Sequence, residues 1–238
     1  MIDPMIVGGG LPNIARVGAL VGNPVRAAMI GALMDGSERP ASELARLAGA
    51  SPQAASAHLA QLVDGGLLIV RARGRSRFYR LRDANVATAI ETLSLTADAA
   101  SQRPNRIDPK FRLARRCYDH VAGQLGVAIC DSLVARGHII AGQDGFSISS
   151  DGYHWLACHD LARPPDLRRG VVRPCLDWTE RRYHVAGWLG AAICERLEAH
   201  GGLRRGSHNR TLSVTPKGRG LLFDYFRLDW RRLRKSQV

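Results

Sequence analysis

A helix with one buried face, followed at once by an arginine-rich hairpin, constrains this chain more than any other feature. Ser51 is a favourable N-cap and Pro52 suits the first helical position, where a missing N–H loses no hydrogen bond. Apolar residues then recur at helical spacing through Ala55, Leu59 and Leu62, which predicts a buried face. The opposite face carries small and polar side chains, which let a helix approach base edges in the major groove of DNA. The pattern predicts a DNA-reading helix.

A β-hairpin with the turn Gly74-Arg75-Ser76 is predicted after this helix, which ends at Gly65-Gly66. The hairpin carries six arginines: Arg71, Arg73, Arg75, Arg77, Arg80 and Arg82. An exposed basic strand can simply protect a sheet edge from aggregation. Beside a DNA-reading helix, however, so many arginines favour binding to phosphates.

Two shorter helices are predicted upstream. Asn23 before Pro24 caps the first, which ends at Asp35-Gly36, and the second spans residues 40–48. Only residues 49–51 separate the second helix from the DNA-reading helix, as in a helix-turn-helix. With the hairpin added, the outline is that of a winged helix-turn-helix.

These residues resemble the ArsR/SmtB family of bacterial transcriptional repressors over residues 12–97. The matching segments are Asn23-Pro24-Val25-Arg26, Ser42-Glu43-Leu44-Ala45, residues 51–68 and residues 74–79. The resemblance implies a homodimer that binds a near-palindromic DNA operator and leaves it when an effector binds. By position it implies DNA contacts from Ser51, Gln53, Ala54, Ser56, Ala57, His58, Gln61, Arg73, Arg75 and Arg77. Neither metal site familiar in the family is present, because residues 43–48 contain no cysteine and residues 83–95 lack the histidine and carboxylate pairs.

His58 has a second interpretation, a polar helix residue that contacts a neighbouring helix or a phosphate rather than a base.

Composition supports a nucleic-acid partner. The 34 Lys and Arg outnumber the 21 Asp and Glu, which gives a formal charge of +13 and attracts polyanions such as double-stranded DNA. No apolar stretch approaches the ~20 residues of a membrane span, and residues 1–12 lack the features of a signal peptide. We therefore expect a cytoplasmic protein with reduced cysteines. The sequence indicates no cofactor and contains no catalytic motif, so we expect no enzymatic activity.

Three regions are predicted: the winged helix-turn-helix at residues 12–97, a linker at 98–109 and a C-terminal domain at 110–238. Residues 83–97 form a helix in this prediction, with an apolar stripe through Val86, Ala89, Ile90 and Leu93 that suits a dimer contact. The linker contains Ser101, Pro104 and Asn105, which are typical of loops.

The C-terminal domain contains an internal repeat. Residues 120–130 recur 64 positions later as residues 184–194, which defines two copies at about 110–163 and 175–235. Each copy predicts helix, hairpin, helix, so the fold class is mainly α with small β-hairpins (α+β), and the C-terminal domain is pseudo-symmetric. Gly126 and Gly190 each cost about 1 kcal/mol in a helix, which predicts close packing of the two equivalent helices.

Ionisable, thiol and aromatic residues concentrate just before the repeated segments. The candidate effector-binding residues are Cys117, Tyr118, His120, Cys175, Trp178, Arg181, Arg182 and His184. Three interpretations stay open. In the structural one, Asp119, Asp177 and Glu180 pair with Arg116, Arg181 and Arg182, and the histidines are core residues.

In the second interpretation, Trp178, Tyr118 and Tyr183 form the walls of a small-molecule pocket whose arginines or histidines hold an anion. In the third, Cys117 and Cys175, with His120 or His184, bind a soft metal or metalloid or respond to oxidation. Arg116 and Arg173 are then expected to lower the thiol pKa. No CxxC or HxxxH spacing marks a closed zinc site.

The sequence thus predicts a dimeric winged-helix repressor whose C-terminal domain receives a signal. One alternative is a metalloid- or redox-responsive sensor that uses Cys117 and Cys175. Another is a constitutive or architectural DNA binder with a C-terminal interaction module.

Overall fold

The computed structural model describes residues 13–100, 107–161, 170–206 and 210–235. Half of the predicted linker, residues 101–106, lies outside the described residues. The chain divides into two compact units, the first ending at Val86 and the second beginning at Ala87. Within the described residues, no helix combines the length and apolar character that a membrane crossing requires.

The first unit is a winged helix-turn-helix. Its elements are α1 (Ile14–Val21), α2 (Pro24–Leu33), β1 (Arg39–Pro40), α3 (Ala41–Leu47), α4 (Pro52–Asp64), β2 (Leu68–Arg73) and β3 (Ser76–Leu81). The strands form an antiparallel sheet in the order β1-β3-β2. Helices α2, α3 and α4 bury Met29, Leu44 and Leu59. The predicted helices and hairpin are confirmed, whereas α1 and β1 were not predicted.

The wing turn is tighter than predicted. Arg73 pairs with Ser76 in the β2–β3 register, so the turn contains only Gly74 and Arg75. Gly74 has a φ of +59°, which a glycine adopts without the strain that a side chain would bring. This turn leaves Arg75 at the tip of the wing.

Helix α5 (Ala84–Ala100) follows the wing. It is longer than the predicted helix at 83–97, and the division between the units falls near its start rather than after residue 97. Asp83 accepts hydrogen bonds from the backbone N–H of Asn85 and of Val86 at 2.8 and 3.0 Å, as an N-cap does.

The second unit alternates short hairpins with helices. After α6 (Pro109–Leu113) come β4 (Arg115–Cys117), β5 (His120–Ala122), α7 (Gly123–Ala135), β6 (Ile139–Gly142), β7 (Gly145–Ile148) and α8 (Ser150–Cys158). Then follow β8 (Arg173–Leu176), β9 (Tyr183–Ala186), α9 (Gly187–Ala199), β10 (Leu203–Arg205), β11 (Leu212–Val214), α10 (Pro216–Phe226) and α11 (Trp230–Lys235). The mixed α and β content matches the predicted class. The hairpins β4–β5 and β8–β9, which precede the repeated helices, were not predicted.

The glycines of the repeat pack against strands. A Cβ on Gly126 would lie 2.4 Å from the carbonyl oxygen of Val121, and one on Gly190 would lie 2.2 Å from that of Val185. Each glycine therefore admits the strand that precedes its own helix, and the close packing of α7 on α9 stays a prediction. Helix α7 contacts β9, and α9 contacts β5.

Candidate functional site

Helix α4 presents the predicted DNA-facing surface. Ser51 Oγ accepts a hydrogen bond from the Ala54 N–H at 3.3 Å, and Pro52 is the first helical residue. Ala55, Leu59 and Leu62 are buried. Among the exposed side chains are those of Ser51, Gln53, Ala54, Ser56 and Ala57. These five residues form a solvent-exposed face of short side chains, with the hydroxyls of Ser51 and Ser56 and the amide of Gln53.

Arg26 of α2 contacts His58 and Gln61, the two remaining candidate DNA-contacting residues on α4. It donates to Gln61 Oε1 at 2.5 Å, and its guanidinium lies 3.4 Å from Nδ1 of His58. Arg26 also donates to the carbonyl of Leu20 at 2.8 Å. His58 and Gln61 thus have partners within the first unit, and for His58 this contact matches the second interpretation.

The five arginines within the wing, which ends at Leu81, fall into two groups. Glu38 forms ion pairs with Arg71, Arg73 and Arg80, so part of their charge is already compensated. Arg75 and Arg77 are exposed, and no carboxylate among the described residues pairs with either. The wing therefore presents two uncompensated positive charges at and beside its tip.

A buried cluster in the second unit brings together Cys117, His120, Cys175 and His184, hereafter the Cys2His2 cluster. Cys117 pairs with His120 across β4–β5, and Cys175 pairs with His184 across β8–β9. One ligand atom from each side chain lies within 4.8 Å of all the others. The exposed fractions are 2% and 6% for the cysteines and 6% and 0% for the histidines, in chain order. Each hairpin thus contributes one thiol and one imidazole.

The two imidazoles of the cluster meet directly. Nε2 of His120 lies 3.1 Å from Nε2 of His184, and because two unprotonated ring nitrogens repel, one proton must lie between them. Asp119 Oδ1 is 3.0 Å from Nδ1 of His120. Burial lowers the pKa of His120, but Cys117 and Asp119 outweigh it and raise the pKa to about 9. Burial and the neighbouring His120 hold the pKa of His184 well below its usual range.

Of the two thiols of the cluster, that of Cys117 is held in its protonated form. The pKa of Cys117 lies well above its usual value because of its hydrogen bond with Cys175 and its burial. Arg116 was predicted to lower this pKa, but that prediction is wrong because its guanidinium pairs with Glu198 at 2.7 Å.

A fully buried ion pair supports the cluster from one side. Arg115 donates to Asp177 Oδ1 at 2.9 Å, and both side chains are 0% exposed. Asp177 Oδ2 accepts the N–H of Gly123 at 2.7 Å, which fixes the start of α7. The Arg115 guanidinium also lies 5.5 Å from the centre of the Trp178 ring. Sequence reasoning missed Arg115, since nothing in the linear pattern separates it from the other arginines.

The charge pairs of the structural interpretation are wrong for Asp177 and Glu180, whose partners are other arginines. The observed pairs are Arg115–Asp177, Arg112–Glu180, Arg116–Glu198 and Arg182–Asp131. Asp177 and Glu180 thus bind arginines that the tertiary fold brings near rather than the arginines predicted from the sequence.

The other candidate effector residues do not belong to the Cys2His2 cluster. Tyr118 and Arg181 occupy left-handed turn positions with φ of 57° and 52°. Arg182 binds Asp131 at the surface. Tyr183 is 53% exposed and packs edge-on to Phe146, with ring centres 6.3 Å apart.

A cavity of about 300 Å³ also lies in the second unit. Its lining is Pro109, Lys110, Leu113, Thr211, Leu212, Ser213, Val214, Arg219, Trp230 and Arg234. Of the aromatic residues predicted as pocket walls, none lines it. Apolar walls with basic groups suit an organic anion.

The fold of the first unit and its exposed helix face define a winged helix-turn-helix transcriptional regulator. Residues 21–71 match the family described as "Helix-turn-helix domain". YdfF of Bacillus subtilis (strain 168), described as an uncharacterized HTH-type transcriptional regulator, is 37% identical over 213 residues, which cover 87% of this chain and 94% of YdfF. The chain belongs to this family of HTH-type transcriptional regulators. The predicted winged helix-turn-helix regulator is thereby confirmed, and the similarity to YdfF extends well past residue 71.

Solved structures resemble about a third of the chain. One is a possible transcriptional regulatory protein (fragment 1–100) from Mycobacterium bovis, with 32% identity over 36% of this chain and 90% of that one, at a TM-score of 0.34. Another is the homodimeric winged helix-turn-helix domain Mb0332 from Mycobacterium bovis, described as a possible ArsR-family regulator. It has 28% identity over 40% of this chain and 87% of that one, at a TM-score of 0.35. Reduced HlyU from Vibrio cholerae has 30% identity over 34% of this chain and 83% of that one, at a TM-score of 0.32.

Proposed function

We propose that the chain is an ArsR-type repressor that binds its operator as a homodimer and changes its affinity when an effector binds in the second unit. The observation that carries the proposal is the exposed face of α4 beside Arg75 and Arg77. Gln53 and Ser56 on that face can exchange hydrogen bonds with base edges, while the arginines bind phosphates without reading sequence.

Exposed apolar side chains support the homodimer. Ile14 and Val17 on α1 are 77% and 42% exposed, and Leu93 on α5 is 47% exposed. Large apolar side chains next to one another on a helix favour a protein partner, because burial of their surface is favourable. A second copy of the chain is the partner that the ArsR resemblance implies.

Pseudo-symmetry of the second unit is part of this proposal. The order hairpin, helix, hairpin, helix occurs twice, and a small cavity is lined by the equivalent pairs Val121 and Val185, Gly126 and Gly190, and Ile129 and Ile193. A site at this pseudo-twofold axis would receive matching residues from both copies, as the Cys2His2 cluster does.

DNA binding by three variants tests the proposal. Gln53→Ala should weaken operator binding by about 1–3 kcal/mol and leave binding to unrelated DNA unchanged. Arg75→Ala should weaken both and reduce the slope of log K against log salt concentration by about 0.9. Arg73→Ala is the matched control with a smaller effect, because Glu38 already compensates its charge.

The measurement is fluorescence anisotropy of labelled DNA from upstream of the gene, at several salt concentrations. An equal loss on all DNA sequences for Gln53→Ala would contradict a base-reading role for α4. Binding that no effector alters would favour a constitutive DNA binder.

A second candidate is a thiol sensor, favoured by the approach of Cys117 to Cys175 in the Cys2His2 cluster. Arsenite or peroxide should then release the protein from DNA, and Cys117→Ser should abolish the release. Release that persists in Cys117→Ser would exclude this candidate.

A further inference from the structure

The Cys2His2 cluster has the ligand types and spacing of a closed tetrahedral metal site. Tetrahedral zinc sites bind thiolate sulfur at about 2.3 Å and imidazole nitrogen at about 2.0–2.1 Å, which places two such nitrogens about 3.3 Å apart. The Nε2 atoms of His120 and His184 are 3.1 Å apart, and all four ligand atoms lie within 4.8 Å. A metal ion at their centre would need the two nitrogens to separate by about 0.2 Å, and the ligand atoms that are furthest apart to approach by up to about 1 Å, because two sulfurs bound to one zinc lie about 3.8 Å apart.

Carboxylates lie behind both imidazoles. Nδ1 of His120 is 3.0 Å from Asp119 Oδ1, and Nδ1 of His184 is 3.7 Å from Asp177 Oδ2. Imidazoles that bind a metal through Nε2 commonly donate their Nδ1 hydrogen to a carboxylate, which fixes the ring and the tautomer. Nδ1 of His184 is buried and has no hydrogen-bond partner among the described residues, so a small rotation of this ring toward Asp177 would satisfy it.

The charge of the four ligands favours a divalent ion over a monovalent one. Two thiolates and two neutral imidazoles around a divalent cation form a complex with no net charge, whereas a monovalent ion leaves one negative charge in a buried site. An unpaired buried charge is strongly unfavourable. A set of two sulfurs and two nitrogens with no position open to water is typical of structural zinc.

We propose that Cys117, His120, Cys175 and His184 together bind one zinc ion, which links hairpin β4–β5 to hairpin β8–β9. Binding requires both cysteines as thiolates and replaces the proton between the imidazoles. Neither hairpin alone supplies more than two ligands, so the ion requires both. A role of zinc in controlling DNA affinity would rest on the proposed function, but zinc binding itself does not.

Zinc content of the reduced full chain tests the site. After dialysis, elemental analysis should find one zinc per chain in the wild type. Cys117→Ser and Cys175→Ser should each lower the zinc affinity by about 100-fold or more. Cys158→Ser is the matched control, because Cys158 is the exposed cysteine, and it should retain the metal.

Cobalt substitution in the wild type tests the site without any variant, in case a serine variant fails to fold. Bound Co²⁺ should show thiolate charge-transfer absorption and the intense visible bands of a tetrahedral complex, and added Zn²⁺ should remove both. The proposal is overturned if the reduced wild type binds neither ion, if both serine variants retain zinc, or if mass spectrometry shows a Cys117–Cys175 disulfide in a metal-free chain. DNA anisotropy on the same preparations reports on the proposed function separately.

Discussion

Asp177→Asn should destabilise the second unit strongly. The substitution preserves the size of the side chain but removes the charge that faces Arg115, and both side chains are 0% exposed. A buried guanidinium without its carboxylate costs about 3–5 kcal/mol. Part of this loss comes from the N–H groups of Gly123 and Thr179, which donate to Asp177 at 2.7 and 2.9 Å and would meet a weaker acceptor.

Tryptophan fluorescence during urea unfolding measures this loss. All four tryptophans lie after residue 86, so the signal reports on the second unit alone. With a urea slope of about 2 kcal/mol per molar, the midpoint should fall by about 1.5–2.5 M. Asp131→Asn is the matched control, because its pair with Arg182 is exposed and contributes only about 0–1 kcal/mol.

The variant Arg115→Met/Asp177→Asn separates the unpaired charge from the lost hydrogen bonds. Removal of both charges eliminates the buried guanidinium, so the double change should destabilise less than the sum of the two single changes. Additive losses, or a loss below about 1 kcal/mol for Asp177→Asn, would refute the argument that the pair is a buried and coupled unit.

Two further predictions concern the stability of the second unit, measured by the same fluorescence. Gly190→Ala should destabilise it by at least about 1 kcal/mol, because the new Cβ would lie 2.2 Å from the Val185 oxygen. Gly220→Ala, in α10 with open space around the new methyl, should instead stabilise it by about 1 kcal/mol. A lower stability for Gly220→Ala than for Gly190→Ala would contradict the tight packing around Gly190. Burial and the nearby Arg136 lower the pKa of His138, so the unfolded chain takes up the proton first and stability should fall as the pH drops below about 6.5. His138→Gln should flatten that fall, and an unchanged pH profile would exclude His138 as its source.

Local patterns were sufficient to predict the first unit. Ser51 and Pro52 start α4 where capping and φ preferences place it, and Gly74 marks the turn of the wing. Strand β1 contains only Arg39 and Pro40, and it pairs with β3 across about 40 residues of sequence. A two-residue strand has no period of its own, so its existence depends on a tertiary contact that no local pattern reports.

The repeat made part of the candidate site predictable. Because His120 and His184 occupy equivalent positions, two copies packed about a pseudo-twofold axis would bring them together, and the structure places them 3.1 Å apart. The partners of the arginines were not predictable in this way. Arg115 reaches Asp177 across 62 residues, and no repeat of the sequence links these two positions.

The carboxylates behind the imidazoles break the symmetry of the Cys2His2 cluster. Asp119 belongs to the turn of its own hairpin and is partly exposed, so its charge attracts the proton of His120. Asp177 likewise lies in the loop of its hairpin, but it is fully buried and Arg115 compensates its charge at 2.9 Å. Two equivalently placed imidazoles therefore differ in basicity, with the pKa of His120 raised and that of His184 lowered. Since a proton between two nitrogens resides on the more basic one, His120 is the donor and His184 the acceptor.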